Sequence, residues 1–200
     1  MTFQTFSFPE ENIEYIAPTW DELQRAAFEL SKQLLQQRKS FDRLITLAKG
    51  GWPMSRSLVD YLSIPEVASV GVKFYSGINT RFSEPQIYQD LPVEVQGERV
   101  LLFDDVADTG ESLAFTKQYL EERGVAEITS ATLFYKPRST FKPDAFGAET
   151  NAWIIFPFER VESLQVLGKK WEAKGVGKQD IWARFLSLGF TNDELTFFLP

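Results

Sequence analysis

Val100-Leu101-Leu102-Phe103-Asp104-Asp105-Val106-Ala107-Asp108-Thr109-Gly110-Glu111-Ser112 joins an apolar run to a turn made of carboxylates, hydroxyls and one glycine. Four consecutive apolar residues read as a strand buried on both faces, and it is expected to end abruptly at Asp104-Asp105. A helix follows from about Glu111 to Arg123 and stops at Gly124, a residue that closes helices without steric penalty. The turn between them has anion-binding character. Backbone N–H groups at the helix start, with the Thr109 and Ser112 hydroxyls, can enclose a phosphate, and Gly110 lets a ligand approach the backbone. Asp104 and Asp105 would then reach a sugar diol or a hydrated Mg²⁺. The bland alternative is a strand–turn–helix in which Asp and Thr act only as caps.

The alternation continues outward in both directions. Upstream, Leu44 to Ala48 reads as a short buried strand, the Gly50-Gly51 turn leads to Pro53 in the first turn of a helix, and Val67 to Phe74 gives another strand. Tyr75 to Gln89 is polar, carries Gly77, Asn79 and Pro85, and reads as a long mobile loop. Further upstream, Thr19-Trp20-Asp21-Glu22 is a capping box for an amphipathic helix from about 20 to 37, and residues 1 to 17 read as an irregular arm. Downstream, Ile128 to Tyr135 and Ala152 to Phe156 supply two more strands. Helices are expected near 162–174 and 179–188, followed by a second capping box, Thr191-Asn192-Asp193-Glu194. Strands alternating with helices predict an α/β fold: a mainly parallel twisted sheet flanked by helices, with ligands at the carboxyl ends of the strands. The expected organisation is one domain over 1–160 and a small helical appendage over 161–200.

Composition narrows the chemistry. The 200 residues include no Cys and no His, which excludes disulfides, thiolate nucleophiles, Ser-His triads and Cys/His zinc sites. Acid–base work falls to Asp, Glu, Lys and Tyr, and any metal must be held by oxygen, which points to Mg²⁺, Mn²⁺ or Ca²⁺. A net charge of −7 argues against a broad nucleic-acid-binding face. The longest apolar runs, such as Trp153 to Phe158, are too short to span a bilayer, and the N-terminus does not read as a signal peptide, so a cytoplasmic protein is expected. Lys174-Gly-Val-Gly-Lys-Gln179 is glycine-rich but lacks the spacing and preceding strand of a P-loop, and Val106 stands where an Asp-x-Asp phosphatase needs its second acid.

With those residues in view, Val100 to Ser112 resembles the PRPP-binding motif of type I phosphoribosyltransferases, and Val106-Ala107-Asp108-Thr109-Gly110 is similar to their xanthine/guanine/hypoxanthine branch. The resemblance implies that Asp104 and Asp105 hold the ribose hydroxyls, that Ala107, Thr109, Gly110, Glu111 and Ser112 belong to the 5′-phosphate loop, and that Asp108 exchanges the proton of purine N7. Leu47-Ala48-Lys49-Gly50-Gly51 resembles the pyrophosphate loop. Lys49 stands there in place of the Arg common in the xanthine-guanine branch, a point charge instead of a bidentate fork; read alone, the turn serves equally as a ligand loop or a tight turn. Lys136, after a buried strand, matches the residue that bonds the exocyclic O6 in purine enzymes of the family, so a 6-oxopurine is favoured over adenine. Trp153-Ile-Ile-Phe-Pro-Phe-Glu159 resembles the hood segment, with Trp153 as the stacking ring and the Ile154 carbonyl and Glu159 as further base contacts; core packing is the competing explanation for these three. The loop from Tyr75 to Gln89, with Arg81 in it, is similar to the lid that closes over PRPP.

The resemblance covers about residues 15 to 160. It implies a Mg²⁺-dependent enzyme of purine salvage, with PRPP and a hypoxanthine, guanine or xanthine base as substrates. The net charge and short apolar runs argue against a nucleic-acid or membrane partner, and the helical tail with its many aromatics points to a dimer or tetramer. The rival is a PRPP- or nucleotide-binding regulatory protein on the same fold without useful turnover.

Overall fold

The computed structural model describes residues 1–75 and 84–199. Two short strands, β1 (Thr5–Phe6) and β2 (Tyr15–Ile16), precede helix α1 (Trp20–Gln36). Then come β3 (Arg43–Ala48), α2 (Trp52–Tyr61), β4 (Glu66–Tyr75), β5 (Glu84–Gln89), β6 (Arg99–Ala107), α3 (Glu111–Glu122), β7 (Glu127–Tyr135) and β8 (Ala145–Glu149). The chain closes with β9 (Trp153–Ile154), α4 (Arg160–Ala173), α5 (Lys178–Ser187) and α6 (Asn192–Phe198). Two compact units result, one of Met1 with Leu23–Thr150, the other of Thr2–Glu22 with Asn151–Pro200. This differs from a division at residue 160, because the N-terminal arm and residues 151–160 group with the tail.

In the first unit six strands form a sheet in the order β5-β4-β3-β6-β7-β8, parallel throughout except for β5, which pairs antiparallel with β4. The fold is thus α/β with a mostly parallel central sheet flanked by helices. Its strands are apolar on both sides, as a sheet covered on both faces requires. Ile45, Leu47, Val100 and Leu102 enter one core with Leu113, Tyr119 and Leu120 of α3, while Leu44 and Leu101, of opposite parity, are also fully buried. α1 lies along β8: Gln33 Nε2 donates to the Phe146 carbonyl at 3.3 Å.

The sheet departs from the sequence-based expectation in three places. β6 does not end at Asp104-Asp105 but runs on to Ala107, because Asp104, Val106 and Ala107 keep pairing with Thr132, Phe134 and Tyr135 of β7. Residues 84–89, expected as loop, are the antiparallel edge strand β5, whose Pro85 is tolerated because an edge strand is bonded on one side only. The sixth strand is β8, while the strand expected over Ala152 to Phe156 shortens to the two residues of β9 and joins a different sheet.

The second unit is built on that other sheet, of order β1-β2-β9. Residues 1 to 17 are therefore not an irregular arm. Tyr15 is buried with Ile155, Leu164, Leu167, Trp171, Phe185 and Leu195, so the start of the chain and the tail helices share one core. Glu11 joins the two segments electrostatically, accepting from Lys170 Nζ at 2.7 Å, Lys174 Nζ at 2.9 Å and Tyr15 Oη at 2.9 Å. Both expected capping boxes form: Glu22 N donates to Thr19 Oγ1 and Glu194 N to Thr191 Oγ1, each at 3.2 Å, with reciprocal bonds from the Thr amides. No described helix is long and apolar enough to cross a membrane.

Candidate active site

β3 and β6 are parallel neighbours, with Arg43 to Thr46 facing Val100 to Phe103, so the loops that leave their carboxyl ends emerge side by side. The loop after β3 is Lys49-Gly50-Gly51, entered through a cis Ala48-Lys49 peptide. Its glycines are required by closeness. A β-carbon on Gly50 would lie 2.6 Å from both carboxylate oxygens of Asp105, and one on Gly51 would lie 2.2 Å from Thr46 Oγ1 and 3.0 Å from the Phe103 carbonyl. The glycine turn and the acidic turn are therefore in direct contact, with Lys49 exposed at the entrance.

In the acidic turn Asp105 is buried and Asp104 half-buried. Their carboxylates also organise the strand end: Asp105 N donates to Asp104 Oδ1 at 3.0 Å and Val106 N to Asp105 Oδ1 at 2.7 Å. Ala107 is buried, Thr109 and Glu111 are exposed, and Ser112 is half-buried in the first turn of α3. Gly110 caps that helix with φ +85°, a left-handed conformation that disfavours any side chain. A β-carbon there would also meet Ser139 Oγ at 2.4 Å and Phe141 Cβ at 2.7 Å.

Those last contacts come from the segment after β7, which braces the turn. Lys136 N donates to the Ala107 carbonyl at 3.0 Å, and Thr140 donates to the Thr109 carbonyl through both its amide (2.9 Å) and its hydroxyl (3.0 Å). Side chains follow the same path. Lys136 Nζ, on a buried side chain, donates to Asp108 Oδ2 at 2.9 Å, and Arg138 donates to Asp108 Oδ1 from Nε at 2.9 Å and from Nη2. Burial alone would raise the Asp108 carboxyl, but the bonds from Lys136 and Arg138 outweigh it and hold the group below its ordinary range. The turn thus presents an ionised carboxylate beside the amides at the start of α3.

The structure brings Lys49, Gly50, Gly51, the residues 104–112 and Lys136 together in the first unit. Trp153, Ile154 and Glu159 belong to the second. Trp153 is 38% exposed, with its amide donating to the Glu14 carbonyl at 2.8 Å and the Lys170 ammonium 5.9 Å from its ring. It is not a core residue. Ile154 pairs with Ile16 in the small sheet, and Glu159 occupies the N-cap position of α4 without a side-chain capping bond, its carboxyl raised by burial and then by Glu162. Arg81 and most of the expected lid lie outside the described residues. Among the described residues no group of three or more acids could cage a metal ion. Sequence reading missed Arg138 and the bracing residues Ser139 to Phe141; the one available signal was the position of Arg138, two residues beyond a suspected ligand.

Fold and site together define an open-sheet α/β protein whose glycine and acidic loops sit at the carboxyl ends of adjacent parallel strands, where such sheets take their ligands. Residues 19–163 match the family described as phosphoribosyl transferase domain, and the chain belongs to that family. Among solved structures, a purine phosphoribosyltransferase from Pyrococcus horikoshii is 32% identical, with 72% of this chain and 93% of that one covered and a TM-score of 0.66. A xanthine-guanine phosphoribosyltransferase of Gluconobacter oxydans is 25% identical over 74% of this chain and 87% of its own length. A hypoxanthine-guanine phosphoribosyltransferase of Bacillus subtilis is 26% identical over 80% and 94%, respectively.

Proposed function

We propose that the protein transfers the 5-phosphoribosyl group of PRPP to N9 of a 6-oxopurine (hypoxanthine, guanine or xanthine) and releases pyrophosphate. The observation that carries this reading is the Lys136–Asp108 pair set at the end of the acidic turn. A donor for a base carbonyl and an acceptor for a base proton stand together beside a loop fit for a sugar phosphate. The names of the three relatives given above, each a purine phosphoribosyltransferase, favour the same acceptor.

In this mechanism the 5′-phosphate is received by the amides and hydroxyls of residues 107–112 at the start of α3. Asp104 and Asp105 take the ribose hydroxyls. Lys49 and the bare glycine amides face the departing pyrophosphate, where positive charge is needed as negative charge develops. The N9–C1 bond forms as the C1–oxygen bond breaks, and pyrophosphate leaves with the electron pair. Lys136 donates to O6, and Asp108 takes the proton shed by the base. Fixing both substrates in line supplies much of the rate.

The residues present suit Mg²⁺. Two adjacent carboxylates, Asp104 and Asp105, with no cage of three acids among the described residues, match an ion that keeps much of its shell for water and substrate oxygens. Bound there, the ion would neutralise pyrophosphate charge.

Pyrophosphate release from PRPP with Mg²⁺ and a panel of hypoxanthine, guanine, xanthine, adenine, uracil and orotate tests the proposal. Release with at least one 6-oxopurine and with neither pyrimidine is expected. PRPP binding without release for any base would assign the chain instead to a regulatory protein.

A further inference from the structure

Asp108 is gripped from two sides, and the two grips differ. Lys136 gives a single ammonium donor to Oδ2 from the buried end of β7. Arg138, with a side chain 62% exposed, aims both Nε and Nη2 at Oδ1. We propose that Arg138 is a positioning residue, which ties down Oδ1 with two N–H groups and leaves Oδ2 as the oxygen that receives the purine proton. This rests on the function proposed above and adds to it the orientation of the proton acceptor.

A carboxylate turns about a broad, roughly two-fold torsion, so a single tie does not decide which oxygen faces the base. An ammonium on a flexible stem is a point charge with three donors, and Lys136 is asked to serve O6 as well. The planar guanidinium with two N–H groups on one oxygen resists that rotation. Its own backbone is fixed to the same turn, since Ser139 N donates to the Lys136 carbonyl at 2.8 Å and Thr140 is bonded to Thr109. Among the described residues, Lys136 and Arg138 are the charged groups that act on Asp108; on its own loop, Glu111 turns to Thr109 Oγ1 at 3.5 Å. With Arg138 gone, burial would be opposed by one cation instead of two, and the carboxyl would bind its proton more tightly.

The test compares Arg138→Gln and Arg138→Lys with the parent protein in two ways: kcat and KM against pH, and the NMR titration of the Asp108 carboxyl without substrates. Arg138→Gln should lower kcat by roughly 10-fold or more, move the acid limb of the kcat profile and the carboxyl titration to higher pH, and leave KM for PRPP nearly unchanged. Arg138→Lys should restore the titration, which needs only charge, and recover kcat in part. The double variant Asp108→Asn/Arg138→Gln should be no slower than Asp108→Asn alone. A brace that is only structural would instead change thermal stability and KM for PRPP. An unmoved Asp108 titration in Arg138→Gln, or a kcat loss that adds to that of Asp108→Asn, would overturn the role of Arg138. The titration reads Arg138 in an inactive protein too, whereas absence of turnover by the parent with every base overturns the reaction itself. Should Arg138→Gln not fold, Arg138→Met, which keeps an unbranched aliphatic stem without the charge, is titrated in the same way: a carboxyl moved to higher pH supports the role, and an unmoved one overturns it.

Discussion

Asp108 keeps 42% of its side-chain surface exposed while two cations hold it ionised. Replacing it with Asn keeps the shape and removes the proton acceptor. Asp108→Asn should cut kcat by roughly 10²–10⁴ and leave the affinity for PRPP largely intact, as steady-state kinetics and PRPP titration would register; unaltered turnover would remove Asp108 from the chemistry. The pH sense follows from the depressed carboxyl: the acceptor is charged at neutral pH, and activity falls only as pH drops through its lowered pKa. At this scale the sequence was informative about residue types with few structural uses. Asp104-Asp105 and Lys136 stand at the ends of apolar runs, where charges need a reason, and Asp108 follows in the same acidic turn. Arg138 did not stand out, since an exposed arginine after a proline is indistinguishable from a solvated one until Asp108, 30 positions away, is placed beside it.

The junction between β6 and α3 depends on one glycine. At φ +85°, and with Ser139 and Phe141 closer than a β-carbon allows, Gly110→Ala adds a strained backbone and a clash, an expected loss of at least ~1–2 kcal/mol. Urea unfolding would measure it, and a loss under about 0.5 kcal/mol, the range of neutral surface changes, would show that the turn relaxes freely. Elements with strong local signals were legible in the sequence: the apolar runs of β3, β6 and β7 and the capping boxes of α1 and α6. β8 was not, because Ala-Phe-Gly-Ala-Glu lacks β-branched residues and carries a glycine in its middle. That glycine is there for closeness, since a β-carbon on Gly147 would sit 2.8 Å from the Leu133 carbonyl. β5 was hidden for a related reason: an exposed edge strand alternates without an apolar run, and Pro85 argues against a central strand. β9 owes its existence to pairing with residues 15 and 16, a partner no local window contains.

Over the whole chain, acid is expected to act on the second unit through Glu11. Its side chain is 1% exposed; burial raises its carboxyl, but the bonds from Lys170, Lys174 and Tyr15 prevail and bring it to about 2 from an ordinary 4.5. A depressed folded-state pKa contributes stability above the unfolded value, so this contribution is full above pH 4.5 and is lost as pH falls toward 2. Glu11→Gln should destabilise that unit by about 3 kcal/mol at neutral pH and flatten its acid unfolding between those limits. Hydrogen exchange at residues of α4 and β2 against pH is the measurement, and equal protection in both proteins at neutral pH would exclude Glu11 as the clamp. The unit itself has a further consequence, because its sheet is threaded by the first residues of the chain and closed by β9, and its core is completed by Leu195. During synthesis β1 and β2 can pair with each other early, but β2 lacks β9, and Tyr15 lacks the core of the tail helices, until residues 153–195 have been made. The first unit, continuous from Leu23 to Thr150 apart from Met1, can fold while translation is still under way; the order of birth and the order of assembly are reversed for the residues that precede it.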